Sequence, residues 1–137
     1  MKKPVYSGTP LAQKLGIREN FKVKFVNQPD YYFRLFSDMP ESIKQYVDKM
    51  TLKDFIHYFE VDAEDLFKNL VELKEEILQN GSIWVSWYKK AANLKTDITE
   101  DVIRDFALQI GLVDIKVCAI DDYWSALKLV IPVKDRQ

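Results

Sequence analysis

Lys89, Lys90 and Lys95 crowd a short polar stretch that Ser86 and Trp87 precede and that Thr96 and Asp97 follow. A helical pattern begins just beyond it. Unpaired amides at a helix start and nearby ammonium groups together favour an anion, so this loop is a candidate phosphate or carboxylate site. Trp87 adds a flat face for stacking or a cation–π contact. The plain alternative is that lysines on a surface loop are solvated. Asp97 would then fill the helix end that an anion needs.

Other residues offer less. His57 is the single histidine. It falls mid-strand between Phe55 and Phe59, which share its face, so it reads as a buried, hydrogen-bonded side chain and not as a general base. No second His or Cys-His set exists to build a metal site around it. Cys118 shares a strand face with Lys116 and Ile120 and reads as a small core residue. Ser86 and Ser125 lack a Gly-x-Ser-x-Gly elbow, which argues against a hydrolase of that type. The hairpin tip Asp121-Asp122-Tyr123-Trp124-Ser125 combines acids with aromatics. Trp124 there either closes over the neighbouring strand ends or anchors the turn in the core. No catalytic residue, metal or cofactor is assigned.

Bulk composition bounds the rest. A chain of 137 residues, 47% hydrophobic and 30% charged, fits a single α/β domain over 1–137, with 1–8 as a polar N-terminal arm in which Tyr6 pins the chain to the sheet edge. A net charge of −1 gives no field for nucleic acid. No signal-peptide core and no membrane-length apolar run is present, and one cysteine cannot form an intrachain disulfide, so a cytoplasmic setting is expected.

The elements that must position these residues follow from periodicity. Thr9-Pro10-Leu11 opens a short helix, with Thr9 as its cap, and Gly16 closes it. Lys22 to Val26 alternates as a first strand. Tyr31 to Phe36 gives one or two helical turns, and Ile43 to Val47 is taken as a short second strand after Pro40. Asp54 to Glu60 is apolar on both faces, as in a central parallel strand. Asp62 caps a helix running to about Gln79, striped by Leu66, Phe67, Leu70, Leu73 and Ile77 and ended by Asn80-Gly81. Ser82 to Trp87 is a strand, and Tyr88 to Thr96 the basic loop. A helix capped by Asp97 or Thr99 follows, with Glu100 completing a capping box to Asp97 and Gly111 closing it. Val113 to Ile120 and Trp124 to Val133 pair as an antiparallel hairpin. The expected architecture is a three-layer Rossmann-like sheet of six strands, order 2-1-3-4-6-5, with the last strand antiparallel.

Such a scaffold normally binds a cofactor just after its first strand, where glycine lets the backbone turn sharply and approach the ligand. Here that turn reads Asn27-Gln28-Pro29-Asp30-Tyr31, and no glycine occurs between Gly16 and Gly81. The usual cofactor loop is therefore missing from the sequence.

Two resemblances bear on function. The final helix and hairpin resemble the C-terminal half of a class I methyltransferase fold, which implies fold only. More specific are Tyr6-Ser7-Gly8-Thr9-Pro10-Leu11, Lys14-Leu15-Gly16-Ile17, Trp84-Val85-Ser86-Trp87 with Lys89-Lys90, Thr96 to Val102, and Gly111 to Ala119 with Trp124-Ser125. These strings are similar to a bacterial domain-of-unknown-function family of small proteins. The chain departs from its pattern at Tyr88, where proline is expected, and at Ala126, where glycine is. That family supplies no catalytic residues.

The leading expectation is a non-catalytic α/β domain. It binds a protein partner or small anionic ligand through Ser86, Trp87, Lys89, Lys90, Lys95, Thr96, Asp97 and Trp124. A degenerate methyltransferase-like enzyme without the glycine loop is the second reading. A structural subunit that dimerises through a sheet edge is the third.

Overall fold

A computed structural model describes residues 8–137. One sheet of six strands runs in the order β2-β1-β3-β4-β6-β5. The strands are β1 (Lys22–Val26), β2 (Lys44–Gln45), β3 (Lys53–Phe59), β4 (Ile77–Tyr88), β5 (Val113–Ala119) and β6 (Trp124–Val130). β1 to β4 are parallel, and β6 lies antiparallel between β4 and β5. The expected strand order therefore holds, including the short second strand. The N-terminal arm, and Tyr6 with it, lies outside the described residues except for Gly8.

Each face of the sheet is covered differently. Helices α2 (Ala63–Lys74) and α3 (Glu100–Gln109) pack on one face through Leu66, Leu70, Leu73, Ile103 and Ala107, against Ile83, Val85, Trp87, Leu127 and Leu129. Helix α1 (Leu11–Leu15) and a 3-10 turn at Tyr32–Leu35 cover the other, over Phe55, Phe59, Trp84 and Trp124. The first core is mostly aliphatic, and the second is richer in aromatic rings. Trp84 ties α1 down by donating its indole N–H to the Leu15 carbonyl at 2.9 Å. Gly16 then ends α1 at φ 80°, a left-handed geometry that glycine adopts without strain.

Local expectations were corrected in three places. Thr9 does not cap α1: the Asp38 carboxylate does so from outside, accepting from the Ala12 and Gln13 amides at 2.9 Å each. Helix α2 ends at Lys74, not near Gln79, and Ile77 to Gly81 belong to β4. The pairing slips there, β3 advancing from Lys53 to Phe55 while β4 advances from Ile77 to Ser82. Gly81 sits in this bulge, where a Cβ would lie 2.8 Å from the Lys53 carbonyl oxygen. Asn80-Gly81 thus marks a close backbone approach and not a helix end. Finally, α3 is capped by Thr99, whose hydroxyl accepts from the Val102 amide at 3.2 Å, so the proposed Asp97–Glu100 box does not form.

A buried ion cluster explains the early end of α2. Lys53 is fully buried in β3, and its ammonium donates to Glu76 at 2.8 Å and to the Asp48 carbonyl. Lys24 donates to the same Glu76 oxygen at 2.8 Å. A buried charge needs such partners. Glu76 reaches inward from just past the helix, two residues after Lys74.

Candidate functional site

The carboxyl end of β4 opens into a cleft of about 760 Å3. Its walls are the strand end at Trp87 to Lys90, the following turn with Asn93 and Leu94, and the first turn of α3. Ser125 of β6 lines it from the neighbouring strand. Asn93 takes φ 55°, which turns the chain back toward Thr96. Lys89 donates its backbone N–H to the Tyr123 carbonyl at 2.8 Å, so the strand end is tied to the hairpin tip.

Charge at this cleft is mixed but organised. Lys89 and Lys90 line one side, Glu100 and Asp101 the other. The two carboxylates are engaged by Arg104, which bonds Glu100, Asp101 at 2.8 Å and Asp114 at 2.9 Å. Asp114 first, and then Glu100, hold the guanidinium well above its ordinary pKa. The first turn of a helix also presents amides that lack an intrahelical acceptor, and here Thr99 takes the Val102 amide.

The residues named from sequence separate into three groups. Trp87, Lys89, Lys90 and Thr96 line the cleft, Trp87 with only 8% of its surface exposed. Lys95, Asp97 and again Thr96 line a second depression of about 290 Å3 beside Val61 and Asp62. Asp97 does not sit at the start of α3. Its carboxylate accepts from the Ala63 amide at 2.8 Å, at the start of α2. The Thr96 hydroxyl donates to the Val61 carbonyl at 2.6 Å and accepts from the Ile98 amide. Ser86 and Trp124 face the other side of the sheet. Trp124 packs on Tyr88 and Phe59, with ring centroids 4.4 Å and 4.9 Å away. Sequence reasoning missed Ser125, Asn93, Thr99, Glu100 and Asp101. Strand alternation carried the signal for Ser125: it pairs with Trp87, whereas Trp124 pairs with Tyr88.

Ser86 belongs to a buried polar relay. Tyr32 and His57 are joined at 2.8 Å through the phenol oxygen and Nδ1, and His57 Nε2 lies 2.7 Å from the Ser86 hydroxyl. All three side chains are inaccessible to solvent. Burial pushes the His57 pKa down to about 3 and drives that of Tyr32 up. His57 also stacks on Phe59 at 4.3 Å. The histidine is thus held neutral in the core, as expected. Cys118 is likewise buried, and burial raises its thiol pKa. Among the described residues no group of three His, Cys, Asp or Glu side chains could hold a metal ion.

The strand order reverses between β1 and β3, and their carboxyl ends are where a sheet of this kind places a cofactor. Asn27 takes φ 59° there, supplying the left-handed turn that glycine usually makes. Its side-chain amide donates across to the Phe59 carbonyl at 3.2 Å. Tyr32 fills the space behind it, with Phe25, Phe36 and Phe59 at centroid distances of 5.1, 5.0 and 5.6 Å. The Tyr31 hydroxyl donates to Asp121 at 2.7 Å and joins this turn to the hairpin tip.

The sheet order and its antiparallel sixth strand define a methyltransferase-like Rossmann fold. Solved structures agree. A putative type 11 methyltransferase from Sulfolobus solfataricus matches with a TM-score of 0.62 and 11% identity, covering 93% of this chain and 92% of that one. An S-adenosylmethionine-dependent methyltransferase from Aquifex aeolicus matches at 0.60 and 15%, covering 88% and 87%. The ribosomal protein L11 methylase from Lactobacillus delbrueckii subsp. bulgaricus matches at 0.58 and 12%, covering 88% and 75%. The chain itself belongs to the family described as protein of unknown function (DUF3052), which matches residues 34–133. No curated protein matches the sequence. No helix among the described residues is long and apolar enough to cross a membrane.

Proposed function

We propose that this protein is a non-catalytic binding domain that takes a small phosphate- or carboxylate-bearing ligand in the cleft beyond β4. The observation that carries this reading is the pairing of Lys89 and Lys90 with the Thr99-capped first turn of α3 across one concavity. A cleft of about 760 Å3 lies within the range of small-molecule sites, roughly 300–1,000 Å3. Asp97, which would have competed for the helix start, is engaged at α2 instead. Glu100 and Asp101 direct their charge to Arg104. Trp87 supplies an apolar wall.

A ligand that binds only the folded state raises the unfolding midpoint. A thermal-shift series with ribose 5-phosphate, mononucleotides and citrate should therefore stabilise the wild type, and the Lys89→Ala, Lys90→Ala double variant should lose that gain. A wild type that responds to none of them, or a response the double variant keeps, overturns the reading.

The fold itself favours a second reading, a methyltransferase-like enzyme with a rebuilt cofactor turn. Left-handed Asn27 standing where glycine is usual is the feature that supports it. Stabilisation by S-adenosylmethionine that is insensitive to Lys89→Ala with Lys90→Ala would move the assignment there.

A further inference from the structure

Lys116 and Lys128 are register partners on adjacent antiparallel strands, so their side chains leave the sheet side by side on the α1 face. Directly opposed side chains of this kind have Cβ atoms about 4.5–5.5 Å apart, and like charges there are destabilising. Arg18, just past α1, adds a third positive charge to the field at Lys128. Burial lowers the Lys128 pKa, and Lys116 and Arg18 lower it further.

Among the described residues no carboxylate pairs with Arg18, Lys116 or Lys128. The acids nearest in sequence are engaged elsewhere: Glu19 with the Ser42 hydroxyl, and Asp114 with Arg104 on the opposite face. The ammonium groups are nonetheless steered. Lys116 Nζ donates to the Lys14 carbonyl at 3.2 Å, and Lys128 Nζ stands 3.9 Å from the position of a Cβ on Gly16. Three cations gathered without a counter-ion lower stability by themselves and regain it when an oxyanion joins them.

We propose that Arg18, Lys116 and Lys128 form a second anion site, for a phosphate group, on the α1 face of the sheet. A tetrahedral dianion accepts from several donors at once, and a guanidinium fork suits its geometry. The site is independent of the cleft beyond β4, whose Trp87 and Ser125 walls belong to the α2–α3 face. The ligand of this face is free orthophosphate, which keeps it distinct from the esters tested at the cleft.

The test is thermal unfolding in sodium phosphate and in glycerol 3-phosphate, each against sodium chloride at matched ionic strength. The wild-type midpoint should rise by about 3 °C in phosphate. Lys116→Gln with Lys128→Gln should start at a higher midpoint in chloride, because the repulsion is gone, and should gain nothing from phosphate. Arg18→Gln alone should reduce the gain, and Lys89→Ala with Lys90→Ala should leave the orthophosphate gain at the α1 face in place. Glycerol 3-phosphate should add nothing at this face, and a gain from it that survives Lys89→Ala with Lys90→Ala overturns the assignment to the free ion. No gain in the wild type, or a gain that survives Lys116→Gln with Lys128→Gln, overturns the proposal.

Discussion

Beyond β1 and β3, Asn27 bonds across to the Phe59 carbonyl, and the Tyr32 ring sits among Phe25, Phe36 and Phe59. Beyond β4, the chain steps out through a 3-10 turn at Lys90–Ala92 and leaves a cleft of about 760 Å3. Both regions lie at carboxyl strand ends, where open α/β sheets bind ligands. One is packed with rings and the other is lined with lysines and the first turn of α3. The difference teaches that the same scaffold can keep its strand order while the accessible strand end lies one strand over, at β4 beside β3.

The largest effect should come from unpacking the closed region. Tyr32→Ala removes a fully buried ring and should cost about 3–5 kcal/mol, read from the urea midpoint. A loss below about 1 kcal/mol would show that the region is not packed shut.

Acid should loosen the same region. The His57 pKa falls from the usual 6.5 to about 3 on folding, so the unfolded chain binds the proton more readily. Stability from this group is complete above about pH 6.5 and is lost as pH falls toward 3, at about 1.4 kcal/mol per pH unit. Urea midpoints between pH 7 and pH 4 should follow that slope, and His57→Gln should flatten it. An unchanged slope in the variant would remove His57 from the account.

A smaller loss is expected at the turn itself. Asn27→Ala gives up the bond to Phe59 and puts alanine, which adopts the left-handed region less readily than asparagine, at φ 59°, at a cost of about 1–2 kcal/mol by chemical denaturation. Asn27→Gly keeps the backbone geometry and should cost less. If the two variants are equally stable, the left-handed turn is not what Asn27 contributes.

The open region should show the smallest stability effect of all. Lys89→Ala with Lys90→Ala should change the midpoint without ligand by no more than about 0.5 kcal/mol, while removing stabilisation by ribose 5-phosphate. A large loss without ligand would mean that these lysines support the fold.

Strand order was legible because strong alternation, the Asp62 cap and the hairpin each left local signals. Asp62 does accept from the Asp65 amide, at 3.0 Å. The errors arose where a distant residue overrode local preference. Asp38 replaced Thr9 as the cap of α1, and Lys53 drew Glu76 inward so that α2 stopped early. No local pattern reports such long-range partners. In the candidate site, the basic loop was visible as composition, but its facing was not. Ser86 and Trp124 belong to the opposite side of the sheet, which strict alternation from Trp87 would have shown. The contribution of α3, with Glu100 and Asp101 held by Arg104, needed the fold to bring those residues against β4.

The most direct measurement is a titration of the isotope-labelled protein with ribose 5-phosphate and, separately, with S-adenosylmethionine, followed by amide shifts. Ribose 5-phosphate should move the amides of Trp87, Lys90, Asn93 and Thr99 and leave those of Asn27, Gln28 and Phe59 in place. Saturable shifts at Asn27 and Gln28 with either compound, while the amides around Lys90 stay still, would contradict the assignment of the ligand site to the β4 cleft.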